Sequence, residues 1–162
     1  MSRFRVRPAV YADRDALLAG ALAMALETEQ RELNHEQVLA GITRVLNDHA
    51  EHPAHGRYWV AVNVDEEEVE ITGQITGMCL LTQEWSDWHN TWYGWIQSVY
   101  VWPQYRGRGI WRELLKQLKG HARQHGFAWL RLYVEKENIA AQAVYQQMGF
   151  KKSHYQLWET GL

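Results

Sequence analysis

Residues 97–111 read QSVYVWPQYRGRGIW, and this stretch decides the fold because it joins an apolar strand to a helix through a glycine-rich loop. Residues 99–101 are β-branched or aromatic and favour a strand. Pro103 marks the end of that strand because proline cannot donate to a sheet ladder. Beyond the loop, apolar residues recur at intervals of three and four, which predicts a helix that begins between Gly107 and Ile110.

The loop is suited to a ligand that carries phosphate. The first four N–H groups of a helix lack partners within the helix and carry about half a positive charge. Gly107 and Gly109 let the backbone approach a ligand without a Cβ clash. Arg106 and Arg108 add positive charge. The alternative is that the loop is only a tight connection between strand and helix and binds no ligand. The loop fits neither the Walker pattern of nucleoside triphosphatases nor the G-x-G-x-x-G pattern of dinucleotide-binding domains.

Two blocks of the sequence carry a family resemblance. The first is the pattern V-x-P-x-x-R-G-x-G, and the second is a strand, an Asn-capped helix with a tyrosine, and a Gly-Phe pair. These features comprise Val101, Pro103, Arg106, Gly107 and Gly109, then residues 130–134, Glu135, Asn138, Ala141, Tyr145, Gly149 and Phe150. The first block resembles the acyl-CoA signature of the GNAT superfamily of N-acetyltransferases, and the second follows in that family's order.

The resemblance implies an α+β fold. Its centre would be a mostly antiparallel sheet of six to seven strands, flanked by about four helices, with a splayed parallel pair of strands that holds acyl-CoA. Trp111 departs from the family pattern, which usually has glycine or alanine there. Its side chain could instead point into the core, because Leu115, Leu118 and Ala122 share its helical face.

The resemblance also implies which residues contact acetyl-CoA as the acyl donor. Backbone N–H groups of the strand before the loop would bind the pantetheine and polarise the thioester carbonyl. Tyr145 matches the family's general acid toward the sulfur, and packing beside Val144 and Met148 is the alternative. The implied donor contacts are Val99, Tyr100, Val101, Arg106, Gly107, Arg108, Gly109, Ile110, Trp111, Asn138, Ala141 and Tyr145.

The acceptor side and the general base are less defined. Gln97 stands near the position where many family members carry glutamate, and an amide cannot accept a proton at neutral pH. Acidic residues near the end of the first helix and in the EWSDW segment could attract an amine, although acidic clusters are usually solvated faces. Several nearby tryptophans could wall an acceptor pocket, and cross-strand packing explains them equally well. The candidates for acceptor binding are Glu27, Glu84, Trp85, Asp87 and Gln97.

Length and composition limit the classes of protein. A chain of 162 residues predicts one domain over 1–162, and a net charge of -2 gives no support for nucleic-acid binding. The longest apolar run, residues 16–26, is too short to cross a bilayer, and no secretory signal is evident, so a cytoplasmic protein without a membrane partner is expected. Cys79 predicts a buried, inert thiol. His49, His52 and His55 do not form a closed ligand set, so no metal is expected.

The remaining periodicity predicts further helices and strands. Asp13 can cap a first helix, and Asn34 with Gln37 resembles a capping box before a second. Strands are predicted where apolar and polar residues alternate. These are a first strand that ends near Pro8, then residues 58–64, 73–83, 91–101 and finally 154–158.

The sequence favours transfer of an acetyl group from acetyl-CoA to a primary amine of a small molecule or peptide. Direct attack in a ternary complex is expected, because no activated cysteine or serine is evident. One alternative is a catalytically idle acyl-CoA sensor or interaction domain. Another is a domain whose aromatic residues hold a sugar or base. The acceptor, the acyl length, the base and the quaternary state are left open, a homodimer being one option.

Overall fold

The computed structural model of the chain describes residues 4–48, 55–64 and 73–162. Five strands and four helices make up this part of the chain, with short 3-10 turns before α1 and before the glycine loop. In chain order these are β1 (Phe4–Pro8), α1 (Arg14–Glu29), α2 (His35–Leu46), β2 (Arg57–Asn63), β3 (Ile75–Ser86), β4 (Thr91–Val101), α3 (Ile110–Gln124), β5 (Trp129–Leu132) and α4 (Ile139–Gln147).

The strands form one sheet in the order β1-β2-β3-β4-β5. The first four strands are antiparallel neighbours, and β4 and β5 are parallel. The parallel pairing begins at Tyr93 opposite Trp129 and ends at Ile96 opposite Leu132. β4 continues to Val101 without β5 beside it. The sheet therefore opens between these two strands on the side where the glycine loop begins.

Apolar side chains cover both faces of the sheet. Helices α1 and α2 pack on one face, where Leu17 and Ile42 contact a cluster that includes Val60 and Met78. Helix α3 packs on the other face, and its Leu114 is fully buried there. Successive residues of a strand point to opposite faces, which is why one strand serves both clusters. A fully buried leucine contributes about 1.5–3 kcal/mol relative to an exposed one.

The predicted fold class is confirmed, with one difference in the strand count. The described residues form an α+β structure with four helices and a mostly antiparallel sheet, but the sheet has five strands rather than six to seven. The strand predicted at residues 154–158 is wrong for this structure, because residues 151–162 form neither helix nor strand. A strand needs a hydrogen-bonded neighbour, and none of the described strands pairs with this segment.

The two predicted helix caps differ in outcome. The Asn34 side chain accepts a hydrogen bond from the Gln37 amide at 2.9 Å, as predicted for the start of α2. Asp13 directly precedes α1, but its side chain makes no capping bond to that helix. Its carboxylate instead accepts from Arg7 Nη1 at 2.6 Å and from the Val10 amide at 2.7 Å. The ion pair to β1 therefore replaces the predicted cap.

Candidate active site

At the end of β4, one backbone edge pairs with no described strand, and this is called the free edge of β4. The Trp102 amide donates to the carbonyl of Thr76 in β3 at 3.1 Å. Because backbone groups alternate in direction along a strand, those of Trp102 and of every second residue before it point toward β3. The backbone groups of Val101 point away from β3, and its carbonyl accepts a hydrogen bond from Arg106 Nε at 2.9 Å. By the same alternation, the N–H groups of Val99 and Val101 face the opening between β4 and β5. Two main-chain donors thus line this opening.

A β-bulge lies directly before this edge. Leu80 of β3 faces Gln97, but Met78 faces Tyr100, so β4 has one extra residue at this point. Ser98 within the bulge has φ of 51°, in the left-handed region that non-glycine residues rarely adopt. The bulge bends β4 where the parallel pairing stops. Serine gives no signal for such a backbone, so the sequence did not predict it.

The glycine loop leads into the N-terminus of α3. Gly107 and Gly109 have φ of 73° and 83°, and a Cβ atom at either position would have no neighbour within 4 Å. Gly109 is the N-cap of α3 and has no side chain to cap it. The amides of Ile110 and Trp111 are therefore left for a ligand at an open, positively polarised helix end.

Arg106 is held by an acidic residue of α1. Its Nη1 lies 2.7 Å from Glu27 Oε1, and its Nη2 donates to Glu27 Oε2 at 2.8 Å. The Tyr100 hydroxyl also donates to Glu27 Oε2, at 3.3 Å. The hydrogen bonds from Arg106 lower the pKa of Glu27 below its ordinary value. Glu27 is therefore ionised at neutral pH and is a weaker proton acceptor than a free glutamate.

Arg106→Gln should lower the free energy of unfolding at pH 7 by no more than about 1 kcal/mol, because exposed ion pairs are screened by water. The two side chains are 44% and 42% exposed. Folding lowers the pKa of Glu27, so the stabilisation is present above the unfolded-state pKa and is lost as the pH falls through the folded-state pKa. Urea titrations at neutral and acidic pH should therefore give wild-type and variant curves that converge in acid.

Arg108→Gln is the matched control for this prediction. The Arg108 guanidinium lies over the Tyr105 ring at 5.6 Å and has no part in the Glu27 pair. We expect its stability to stay close to wild type at both pH values. A difference between wild type and Arg106→Gln that persists unchanged in acid would contradict the assigned role of the ion pair.

Tyr145 is partly buried and packs against the apolar cluster under α3. Its ring meets Trp111 and Phe150 edge-on, each with ring centroids 5.9 Å apart. Tyr145, Val99 and Trp111 belong to the same apolar cluster under α3. Burial raises the pKa of Tyr145, with a smaller contribution from the Cys79 thiol, so the phenol is protonated at neutral pH. The structure thus brings a protonated phenol into the cluster that supports the free edge of β4.

Trp111 and Cys79 are both buried. The Trp111 indole lies in the core, as the shared helical face indicated, and its Nε1 has no hydrogen-bond partner among the described residues. Burial raises the pKa of Cys79 far above its ordinary value, so this thiol is inert, as predicted. Because the Trp111 indole points into the core, it does not cover the glycine loop.

Asn138 and Ala141 mark the start of α4. The Asn138 side chain accepts from the Ala141 amide at 3.1 Å, which makes it the N-cap of that helix. Replacing such a cap with alanine costs about 1 kcal/mol in helix stability. This cap fixes where the helix that carries Tyr145 begins, and a contact of Asn138 and Ala141 with acyl-CoA stays a prediction.

The predicted acceptor residues on the sheet already have partners. Gln97 Nε2 donates to Thr82 Oγ1 at 2.7 Å. Glu84 accepts from Trp95 Nε1 and lies 3.6 Å from Arg131 Nη1. Sequence reasoning did not single out Arg131, because its partner comes from a strand that is not its neighbour in the chain.

Trp85 and Asp87 lie at the far end of β4 from the glycine loop. Ser86 faces Thr91 at the tip of the β3–β4 hairpin, so about 30 Å of strand separates this tip from Val101. Trp85 packs on Trp92 across the hairpin, with ring centroids 5.0 Å apart. Asp87 accepts from the Trp88 amide at 3.0 Å. The structure therefore does not bring these residues to the loop, and cross-strand packing accounts for the Trp85–Trp92 pair.

The described ranges contain neither a metal-binding cluster nor a helix that could span a membrane. No three His, Cys, Asp or Glu side chains there come together as a metal-binding group. His55 pairs with Asp48 at 3.1 Å, whereas His49 and His52 lie outside the described residues. The helices of this part of the chain lack the length and apolar character that crossing a membrane requires.

Comparisons with known proteins address the resemblance directly. The sequence model of the Acetyltransferase (GNAT) family matches residues 21–150. The crystal structure of a possible acetyltransferase from Clostridium difficile 630 has a TM-score of 0.83 and 32% identity, over 98% of this chain and 97% of that one. These matches confirm the family that the two sequence blocks indicated.

Two relatives have named activities. The aminoalkylphosphonate N-acetyltransferase of Salmonella typhimurium is 32% identical over 51% of this chain and 54% of its own length. The mycothiol acetyltransferase of Kocuria rhizophila is 36% identical over 38% of this chain and 20% of its own length. The chain thus spans about half the length of the first relative and a fifth of the second. On the family match, the chain belongs to the GNAT acetyltransferase family.

Proposed function

We propose that this enzyme transfers an acetyl group from acetyl-CoA to a primary amine of a small molecule or peptide. The observation that carries the proposal is the free edge of β4 next to the uncapped N-terminus of α3. In this arrangement the amides of α3 bind the diphosphate, and the opening between β4 and β5 takes the pantetheine. The small-molecule acceptor is supported by the relative named for aminoalkylphosphonates.

The backbone donors of β4 would stabilise the charge that forms during acyl transfer. When the amine nitrogen attacks, a C–N bond forms and the thioester oxygen becomes negative before the C–S bond breaks. The N–H groups of Val99 and Val101 face the opening, where that oxygen can be bound. Removal of one such donor in enzymes costs about 2.7–4 kcal/mol of transition-state stabilisation.

Two protons must also move. The departing sulfur leaves as a thiolate unless it receives a proton, and the partly buried Tyr145 phenol is the donor we assign to it. The attacking amine must lose a proton. Glu27 and Glu84 are both held in ion pairs, and Gln97 cannot accept a proton. We therefore propose that the amine proton passes to water, with no carboxylate in direct contact.

Arg108 is the better candidate for a cation that contacts phosphate. Arg106 already gives its guanidinium to Glu27 and to the Val101 carbonyl, so it fixes the loop against α1 and β4. Arg108 lies over the Tyr105 ring, on the loop between the two glycines. We assign the positioning role to Arg106 and the direct phosphate contact to Arg108.

Other expectations from the sequence belong to the same proposal. They are a single domain over 1–162, a cytoplasmic location and the absence of a nucleic-acid partner. Direct attack in a ternary complex is part of it as well, because the described cysteine is buried and inert.

The test is thiol release from acetyl-CoA in the presence of a panel of amines that includes aminoalkylphosphonates, polyamines and peptide N-termini. We expect release that depends on the amine and equals the amount of acetylated product. Binding of acetyl-CoA without release for any amine would favour the idle sensor. Failure to bind it would favour a domain for another ligand, and a burst of acetylated protein would contradict direct attack.

A further inference from the structure

A row of polar and aromatic side chains runs along one face of the sheet, from the opening between β4 and β5 toward the β3–β4 hairpin. Cross-strand partners share a face, so Gln97 lies on the same face as Leu80 opposite it. Leu80 packs against the cluster under α1 and α2, which makes this the α1 side of the sheet. Because side chains alternate, Trp95 and Tyr93 continue the face toward the hairpin, and Arg131 of β5 joins it opposite Trp95. The row therefore lies on the face of the sheet opposite α3.

The acceptor has to approach the thioester from the side of this row. The donor site proposed above lies on the other face, where Trp111 and Tyr145 pack in or against the cluster under α3. The two reactants meet at the opening, so the amine comes from the side that the donor leaves free. Gln97 stands two positions before Val99 and is the first member of the row at that point. The part of the acceptor beyond its amine would therefore extend along the row.

Arg131 supplies the positive charge of this row. Its guanidinium lies over the Tyr93 ring, 4.0 Å from the centroid, and 5.8 Å from the centroid of Trp95. Its Nη1 is 3.6 Å from Glu84 Oε1, which is beyond hydrogen-bond distance. Arg131 donates no hydrogen bond to any other residue that the structure describes. The aromatic rings thus hold a planar fork of five N–H donors whose hydrogen bonds are left for a ligand.

The charges around Arg131 favour a carboxylate as that ligand. A guanidinium fork binds carboxylate or phosphate through two parallel hydrogen bonds. Glu84 places a negative charge beside the same fork, and its other oxygen accepts from Trp95 Nε1, which holds it there. That charge repels a phosphate monoester, with a charge of about −1.5 to −2, more strongly than a singly charged carboxylate. The site therefore selects a carboxylate over a phosphate group.

The Arg131 fork lies well away from the reacting amine. It lies over Tyr93 and near Trp95, which precede Val99 by six and four positions along β4. A strand rises about 3.4 Å per residue and the bulge shortens β4, so about 15 Å separates the fork from the opening. An extended peptide covers that distance with about four residues. A carboxylate on Arg131 therefore belongs to a molecule of roughly that length.

We propose that the acceptor is an extended, peptide-like molecule whose terminal carboxylate binds Arg131, about 15 Å from the amine that is acetylated. This assignment rests on the function proposed above and specifies its acceptor. The Trp95 and Tyr133 rings, with centroids 5.4 Å apart, would contact the chain between the two ends. Tyr133 is 55% exposed, so its ring is accessible for this contact. Arg131 then determines specificity and takes no part in proton transfer.

Acetylation of tetra-alanine and of tetra-alanine amide tests this assignment, because the amide lacks the terminal carboxylate. The wild-type KM should be about tenfold lower for tetra-alanine than for its amide, with similar kcat. Arg131→Gln should raise the KM for tetra-alanine about tenfold and leave kcat and the amide unchanged, because binding alone is lost. Arg131→Lys should keep part of the preference, since lysine has the charge without the fork. Dialanine is too short to reach Arg131, so Arg131→Gln should not change its KM.

Arg123→Gln is the matched control. Arg123 is exposed near the end of α3, about 20 Å from the glycine loop and on the other side of the sheet, so its kinetics should match wild type. Urea unfolding of each variant measures what the stacked guanidinium contributes to stability. A purely structural role of Arg131 would change the kinetics of both tetrapeptides alike and would not remove a preference for the carboxylate.

Three results would overturn the assignment. They are equal wild-type KM values for the two tetrapeptides, a preference that survives in Arg131→Gln, and acetylation of other amines but of neither tetrapeptide. Calorimetric titration of both tetrapeptides in the presence of CoA makes the same comparison without turnover. Tighter binding of the carboxylate form that is lost in Arg131→Gln, in a protein that acetylates no amine, would retain the site and refute the proposed enzyme activity. Equal binding of the two forms would refute the site itself.

Discussion

Tyr145→Phe should lower kcat for acetyl transfer by about 10²- to 10⁴-fold, because it removes the proton donor to the departing sulfur. The phenylalanine ring keeps the edge-on packing against Trp111 and Phe150, so acetyl-CoA affinity should stay close to wild type. Burial raises the pKa of Tyr145 above its ordinary value of 10.0, so the phenol remains protonated across the neutral range. The wild-type rate should therefore not fall below about pH 10 through loss of the Tyr145 proton.

Steady-state kinetics from neutral to alkaline pH, with calorimetric titration of acetyl-CoA, measure both quantities for Tyr145→Phe. The matched control is Tyr58→Phe in the cluster under α1 and α2, where burial raises the pKa of the tyrosine to about 12. That variant removes a buried hydroxyl from the other face of the sheet and should keep its activity. Wild-type rates for Tyr145→Phe at every pH would remove the acid role and leave packing as the function of the ring.

Local chemistry explains why the sequence predicted most of the fold. β4 runs from Thr91 to Val101, as its apolar pattern and the following Pro103 indicated. α3 begins at Ile110, next to a glycine in the left-handed region, and buries the predicted stripe. Each of these elements is fixed by residues a few positions apart. A pattern of that range can be recognised without knowledge of the tertiary structure.

The features of the site that escaped prediction depend on contacts between distant residues. Arg106 was expected at the phosphate, but α1 brings Glu27 to its guanidinium from far away in the chain. Hairpin register puts Trp85 and Asp87 at the opposite end of β4, and no local pattern reveals that distance. The bulge at Ser98 is set by the pairing of β3 with β4. Pairings of this kind are decided by packing rather than by propensity.

The segment at residues 154–158 is the case in which a correct local signal gave a wrong prediction. Alternation indicates that a segment fits a pleated, half-buried surface, but it does not say which strand lies beside it. The described residues of this copy supply no such neighbour.

Gly109→Ala should weaken acetyl-CoA binding by about tenfold or more, equivalent to about 1.4 kcal/mol. Gly109 has φ of 83° and is the N-cap of α3, and its Cβ position lies in open space. An alanine there would place a methyl group where the diphosphate has to approach the first amides of the helix. The left-handed backbone would also cost about 1–2 kcal/mol of stability. Calorimetric titration with acetyl-CoA measures the affinity, and urea unfolding measures the stability.

Gly126→Ala separates these two effects. Gly126 has φ of 70° and equally open surroundings, but it follows the C-terminal end of α3, about 20 Å from the loop. Both variants should lose similar stability, and only Gly109→Ala should lose affinity. Equal loss of affinity in both would trace the effect to strain in the helix rather than to a blocked ligand. Unchanged affinity in Gly109→Ala would mean that the diphosphate is bound elsewhere, because no ligand phosphate could then lie against the N-terminus of α3.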